Sequence, residues 1–248
     1  MSKYAVVASL LAACLLVSVP AFALPSPDEL LKMMADKQDT AKTMQADTVS
    51  TFSTPQGPMK GTGKIYTSRT EVDGKPLYKS NTTMKMTMEA EGVSMTMDSK
   101  TVNDGLFVWH EMRNSMMPMV MVVKTRAGQT VPGQGPAAGP DDSIEQMKKE
   151  FNFTRVGEDT IDGRKMYVLE GTPRVAQRDN PLATVKYYID QEQFYCRRMI
   201  MLEQAGKEMG RFDLTNIKLN SALDPKLFEY TPPPGARVQD MTGAKAGK

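Results

Sequence analysis

Residues 84–97 read Met84-Lys85-Met86-Thr87-Met88-Glu89-Ala90-Glu91-Gly92-Val93-Ser94-Met95-Thr96-Met97. Met84, Met86 and Met88 alternate with Lys85, Thr87 and Glu89; Met95 and Met97 alternate with Ser94, Thr96 and Asp98. A period of two places each methionine set on one face of a β-strand. Glu91-Gly92 between them has hairpin-turn chemistry. A loop of even length sets Met88 opposite Met95 and Met86 opposite Met97, whereas an odd loop would divide the two sets between opposite faces. The apolar pattern therefore selects the even register. The product is a patch of flexible thioethers, with Met84 extending it. Such a patch can adapt to an irregular apolar ligand, coordinate a soft metal ion or pack as ordinary core, and the residues themselves leave all three open.

Outward from this hairpin, strand patterns recur on both sides. Upstream and downstream they fall at 47–54, 60–68, 76–90, 93–100, 105–111 and 116–124, with turns at Asp73-Gly74, Glu91-Gly92 and Asp104-Gly105. A second group covers 153–161, 164–172, 184–190, 195–203 and 207–218, with hairpin turns at Asp162-Gly163 and Ala205-Gly206. Ser26-Pro27-Asp28-Glu29 is a helix start, with Ser as cap, Pro at the first position and Glu three residues after the cap. Leu30, Met33, Met34, Ala41 and Met44 follow at helical spacing, which predicts a helix over 27–45. Asp142-Ser143-Ile144-Glu145 opens a second helix with Ile144, Met147 and Phe151 as its apolar stripe. Between the two strand groups, residues 127–140 are rich in Gly and Pro and form a long loop, either a linker or a lid. Asp224-Pro225 starts a single helical turn, and 241–248 forms a disordered tail. About eleven antiparallel strands with two helices make a mainly β chain, a large curved sheet or open barrel.

The chain start addresses the compartment. Lys3 precedes an apolar stretch over 4–19, and Ala21-Phe22-Ala23 is a small-x-small cleavage site, so residues 1–23 read as a secretory signal peptide with a mature start at Leu24. Leu11-Ala12-Ala13-Cys14 also spells a lipobox. The apolar sequence continues past it to Ala23, so the Ala23 site is preferred to lipid anchoring at Cys14. The formal net charge of +2 gives no reason to expect nucleic acid or an anionic membrane surface as partner. Cys196 is the one cysteine outside that leader; it forms no intrachain disulfide in the mature chain and reads as a small buried strand residue. No chemistry-bearing motif accompanies it. His110 is the single histidine, read as structural, and there is no nucleophile elbow, phosphate loop or zinc helix. The expectation is a non-catalytic monomer without cofactor, with no residues assigned as metal ligands.

Several segments in the second half resemble the bacterial lipoprotein-carrier family, the LolA-like proteins of outer-membrane lipoprotein sorting. They are Asp162-Gly163-Arg164-Lys165-Met166-Tyr167-Val168-Leu169-Glu170, Tyr187-Tyr188-Ile189-Asp190, Asn216-Ile217-Lys218-Leu219-Asn220 with Leu223-Asp224-Pro225, and Phe228-Glu229-Tyr230-Thr231-Pro232-Pro233-Pro234-Gly235-Ala236-Arg237-Val238. Asp104-Gly105-Leu106-Phe107-Val108-Trp109 is similar to the family's central Asp-Gly strand. The resemblance spans about residues 27–240 and is densest after 153. It implies one domain over 24–240, a half-open antiparallel β-barrel with helices covering its concave face. It further implies a periplasmic carrier or binder of lipoprotein acyl chains or lipid, handing cargo between an inner-membrane exporter and an outer-membrane acceptor. Some relatives act instead as envelope regulators that sense lipids or mislocalised lipoproteins. The chain departs from the pattern where true carriers have a basic Arg-Pro-Gly-type segment: here the region reads Ile65-Tyr66-Thr67-Ser68-Arg69-Thr70-Glu71.

For a groove that carries acyl chains through water, the candidate lining is Met84, Met86, Met88, Met95 and Met97, extended by Phe107, Trp109, Met119 and Met121. The competing reading is a methionine-rich copper(I)-binding protein, in which the hairpin thioethers and the Met116-Met117-Pro118-Met119-Val120-Met121 cluster supply soft ligands.

Overall fold

The computed structural model describes residues 24–90, 92–129, 140–175 and 181–243. The expected signal peptide over 1–23, the alternative anchor at Cys14, most of the Gly/Pro loop 127–140 and the last five residues of the tail lie outside the described residues.

Helix α1 (Pro27–Thr40) begins as its sequence dictates: Ser26 Oγ accepts from the Glu29 N–H, and Glu29 Oε2 accepts from the Ser26 N–H at 2.8 Å. A cap of this kind stabilises a helix by about 1 kcal/mol. The helix ends five residues before the expected boundary at 45. Lys42 N–H donates to Asn220 Oδ1 and Thr43 Oγ1 to the Ser221 carbonyl. The chain is thereby drawn into a strand, and Met44, which falls at helical spacing by coincidence, sits on that strand. Its pairing outweighs the local helical pattern.

Twelve strands follow in one sheet: β1 (Thr43–Thr54), β2 (Gly57–Val72), β3 (Lys75–Ala90), β4 (Val93–Asn103), β5 (Phe107–Asn114), β6 (Met117–Arg126), β7 (Phe151–Ile161), β8 (Arg164–Pro173), β9 (Leu182–Asp190), β10 (Cys196–Glu203), β11 (Glu208–Leu219) and β12 (Arg237–Asp240). Helix α2 (Pro140–Glu150) separates the two meanders β1–β6 and β7–β11. Pairing of β1 with β11 joins them, giving the order β12-β6-β5-β4-β3-β2-β1-β11-β10-β9-β8-β7. The sheet does not close on itself, so the architecture is a half-open barrel. To the eleven strands expected the structure adds β12, which is short and pairs with β6 in parallel.

The two faces of the sheet are distinct. On the inner face α1 and α2 bury Leu30, Leu31, Met34 and Ile144 against Leu169, Val185, Tyr187 and Ile189 of β8 and β9. On the outer face the segment after β11 crosses β3–β5. A 3-10 turn at Pro225–Phe228 buries Phe228, the Leu227 carbonyl accepts from Asn81 Nδ2 at 2.6 Å, and Val102 beneath is fully buried.

Candidate functional site

The methionine hairpin forms in the even register. Met86 pairs with Met97 and Met88 with Met95, and the ladder runs on to Ala90 opposite Val93. Met84 pairs with Ser99 on the same face. That face is the inner one, as the cross-strand rows demonstrate. From Leu169 the pairing passes through Tyr187, Met199, Phe212, Ser50 and Gly61 to Met86 and Met97. A parallel row passes from Val185 through Met201, Gly210, Phe52 and Met59 to Met88 and Met95. The helix-covered core and the methionine patch are therefore one continuous surface. Its helical half is closed by α1 and α2, while Met112 and Met121, paired with each other in β5 and β6, remain 38% and 36% exposed.

Two glycines allow close approach of neighbouring strands at the centre of this surface. A Cβ at Gly63 would stand 1.9 Å from the Thr83 carbonyl oxygen, and one at Gly61 would stand 2.4 Å from Ser50 Oγ. The hydroxyls of Thr48 and Ser50 occupy the space a side chain would need; both residues are 1% exposed, and neither hydroxyl takes a hydrogen-bond partner among the described residues. Beside the C-terminal end of α1 the inner face opens into a cavity of about 260 Å³ lined by Gln38, Met44, Thr67, Tyr78, Tyr195, Cys196 and Leu214, among others. Burial pushes the Cys196 thiol up to about 12, so it stays protonated and packs as a small apolar group, with Sγ donating to the Arg198 carbonyl at 3.2 Å. The Tyr187 hydroxyl is likewise pushed up, chiefly by burial.

Phe107 and Trp109 do not line this surface. Strand alternation puts them on the side opposite Val108 and His110: Trp109 pairs with Val102, which is covered by the C-terminal segment. Its ring packs on Tyr230 at 5.4 Å, and Lys124 Nζ lies 4.0 Å from the Phe107 ring centre and 4.7 Å from that of Trp109. Tyr230 donates to Glu111 Oε2 at 2.7 Å on this outer side. The sequence shows two aromatics in an apolar strand; it cannot show that a segment 120 residues later covers their face. Met121 is on the inner face. Met119 falls within the irregularity between the pairs Met112–Met121 and Asn114–Met117 and is 48% exposed.

Two inner-face residues were not singled out as lining by the sequence. Met112 lies just past the strand expected over 105–111, which the structure extends to Asn114. His110, read as structural, pairs with Thr101 on the inner face, with Nδ1 3.0 Å from Thr101 Oγ1, and burial lowers its pKa below the usual imidazole value. Among the described residues no three His, Cys, Asp or Glu side chains gather as a metal site, and no helix is long and apolar enough to cross a membrane.

No family model matches the chain. An uncharacterized protein of Methanocaldococcus jannaschii is 26% identical over 221 residues; the match covers 89% of this chain and 56% of that protein, so the chain spans little more than half of its relative's length. Among solved structures, MucB aligns with a TM-score of 0.47 at 17% identity, over 83% of this chain and 62% of its own. A LolA superfamily protein from Nitrosomonas europaea aligns with a TM-score of 0.33 at 15% identity, over 84% and 99%.

Proposed function

We propose that the protein is a periplasmic, non-catalytic binder of lipid or lipoprotein acyl chains, held against the inner face between the helices and the methionine hairpin. The observation that carries this reading is the continuity of the inner face, from Leu169 and Tyr187 under the helices, past the small residues Ser50 and Gly61, to Met86, Met88, Met95 and Met97 beyond them. An acyl chain gains about 0.8 kcal/mol for each methylene removed from water, so its carrier needs a long apolar trough rather than a deep small pocket. Methionine suits the lining because its unbranched thioether repacks around tails of different length. The half-open sheet gives the trough an entrance, and the helices give it a roof. The signal-peptide pattern read in residues 1–23 supports export to the periplasm, where lipid-modified proteins must cross water between membranes. Exchange of cargo with an inner-membrane exporter and an outer-membrane acceptor is part of the same proposal.

The test uses a diacylated lipoprotein offered in detergent-free form. Wild-type protein should retain it in solution in a one-to-one complex. Met86→Asp combined with Met97→Asp places two charges on the trough floor and should weaken retention at least tenfold, with the β-sheet circular dichroism unchanged. Equal retention by the folded variant contradicts the proposal.

A further inference from the structure

At the uncovered end of the inner face, the pairing of β5 with β6 brings the single histidine and two half-exposed methionines together. Met112 lies two residues from His110 on the same face of β5, and Met121 is directly opposite Met112. Directly paired residues have Cβ atoms about 5 Å apart and diagonal ones about 7 Å, a triangle that two flexible thioethers and an imidazole can close around one ion. From these positions we propose that His110, Met112 and Met121 form a binding site for a soft monovalent metal ion, copper(I), independent of acyl-chain binding.

Three further observations support the assignment. The His110 Nδ1 lies 3.0 Å from Thr101 Oγ1; this contact orients the ring, and in the tautomer whose Nδ1–H donates to the hydroxyl the Nε2 lone pair is available to a metal, the arrangement that second-shell groups impose on metal-binding histidines. Around the triad on this face, Val108, Ser99, Thr101 and Val123 carry no charge and the adjacent charged residue is Arg237 of β12, a cation paired with Met121, while Glu111 alternates to the outer face where it accepts from Tyr230. A site with thioether and imidazole donors and no carboxylate disfavours calcium, magnesium and other hard cations and selects copper(I). Finally, Met112 and Met121 keep more than a third of their surface in contact with solvent, so an ion can reach the sulfurs without unfolding the sheet.

The purified full-length protein is titrated anaerobically with copper(I) against a chromophoric copper(I) chelator. One saturable equivalent is expected. Met112→Leu combined with Met121→Leu, which keeps the apolar volume, should weaken binding at least a hundredfold, whereas Met88→Leu combined with Met95→Leu should leave it unchanged. Because the chain has one histidine, its imidazole ¹⁵N resonances report the site directly in the wild type. Silver(I), a redox-stable stand-in for copper(I), should move Nε2 far more than Nδ1. Absence of a saturable site, unchanged affinity in the Met112/Met121 variant, loss of binding in the Met88/Met95 variant, or silent imidazole resonances would each overturn the assignment.

Discussion

Asp190 is 1% exposed and ends β9. Its Oδ1 accepts from the backbone N–H groups of Glu192 and Gln193, and its Oδ2 from Arg197 Nε at 2.6 Å and Arg164 Nη1 at 3.2 Å. Burial alone would raise the carboxyl's pKa, but the Gln193 N–H and Arg197 outweigh it and hold the value below the usual carboxylate range. A depressed folded-state pKa contributes stability that is complete above the unfolded value, about 3.9, and is lost as pH falls through the folded value. Asp190→Asn should therefore cost roughly 3–5 kcal/mol at neutral pH, because Arg197 is left buried without its counter-charge. Urea unfolding at several pH values should show a flatter acid limb for the variant than for wild type. Gly63 is a second residue with a defined cost. Gly63→Ala drives a methyl against the Thr83 carbonyl, a backbone atom that cannot step aside, and should destabilise by about 1–3 kcal/mol in the same assay. Neither effect is legible in the sequence. Asp190 follows an apolar strand and looks like a turn residue, and Gly63 looks like one more glycine in a polar strand; only the folded neighbours reveal what each one touches.

Elements were legible wherever their pattern was local. The capping box named the first residue of α1, and period-two methionines with an intervening Glu-Gly fixed the β3–β4 register, because a slip of one residue would have turned the thioethers to solvent. Legibility failed where a distant element decided. Thr43, held by Ser221, stopped α1 before residue 45, and the C-terminal segment claimed the outer face that holds Phe107 and Trp109. That placement has a consequence for the single tryptophan. Trp109→Ala should cost about 3 kcal/mol through the lost packing on Tyr230 and leave acyl-chain affinity unchanged. In the wild type, Trp109 emission should not respond to saturating acyl lipid. A change in emission comparable to that of a buried-groove tryptophan would return Trp109 to the trough.

At the scale of the molecule, two antiparallel meanders are joined through β1 and β11 into one open sheet, with a helical roof over part of its inner face and a C-terminal strap on its outer face. The mainly β class and the strand succession follow from alternation and turn chemistry, and the half-open form follows from the resemblance to lipoprotein carriers. The continuity of the inner surface does not. It depends on β1 pairing with β11 across more than 150 residues of sequence, a contact that no local pattern encodes. That continuity is what joins the methionine hairpin to the helix-covered core on one face, the surface along which acyl chains are proposed to bind.

Binding of acyl chains along this inner surface can be followed residue by residue through methyl NMR of ¹³Cε-methionine-labelled protein. Titration with an acyl lipid should move the resonances of Met86, Met88, Met95 and Met97 in a saturable manner, while Met166, fully buried opposite Asp190 on the outer side of β8, stays in place. Inner-face methyl groups that stay fixed while the lipid binds, or shifts centred on Met166 instead, would contradict it.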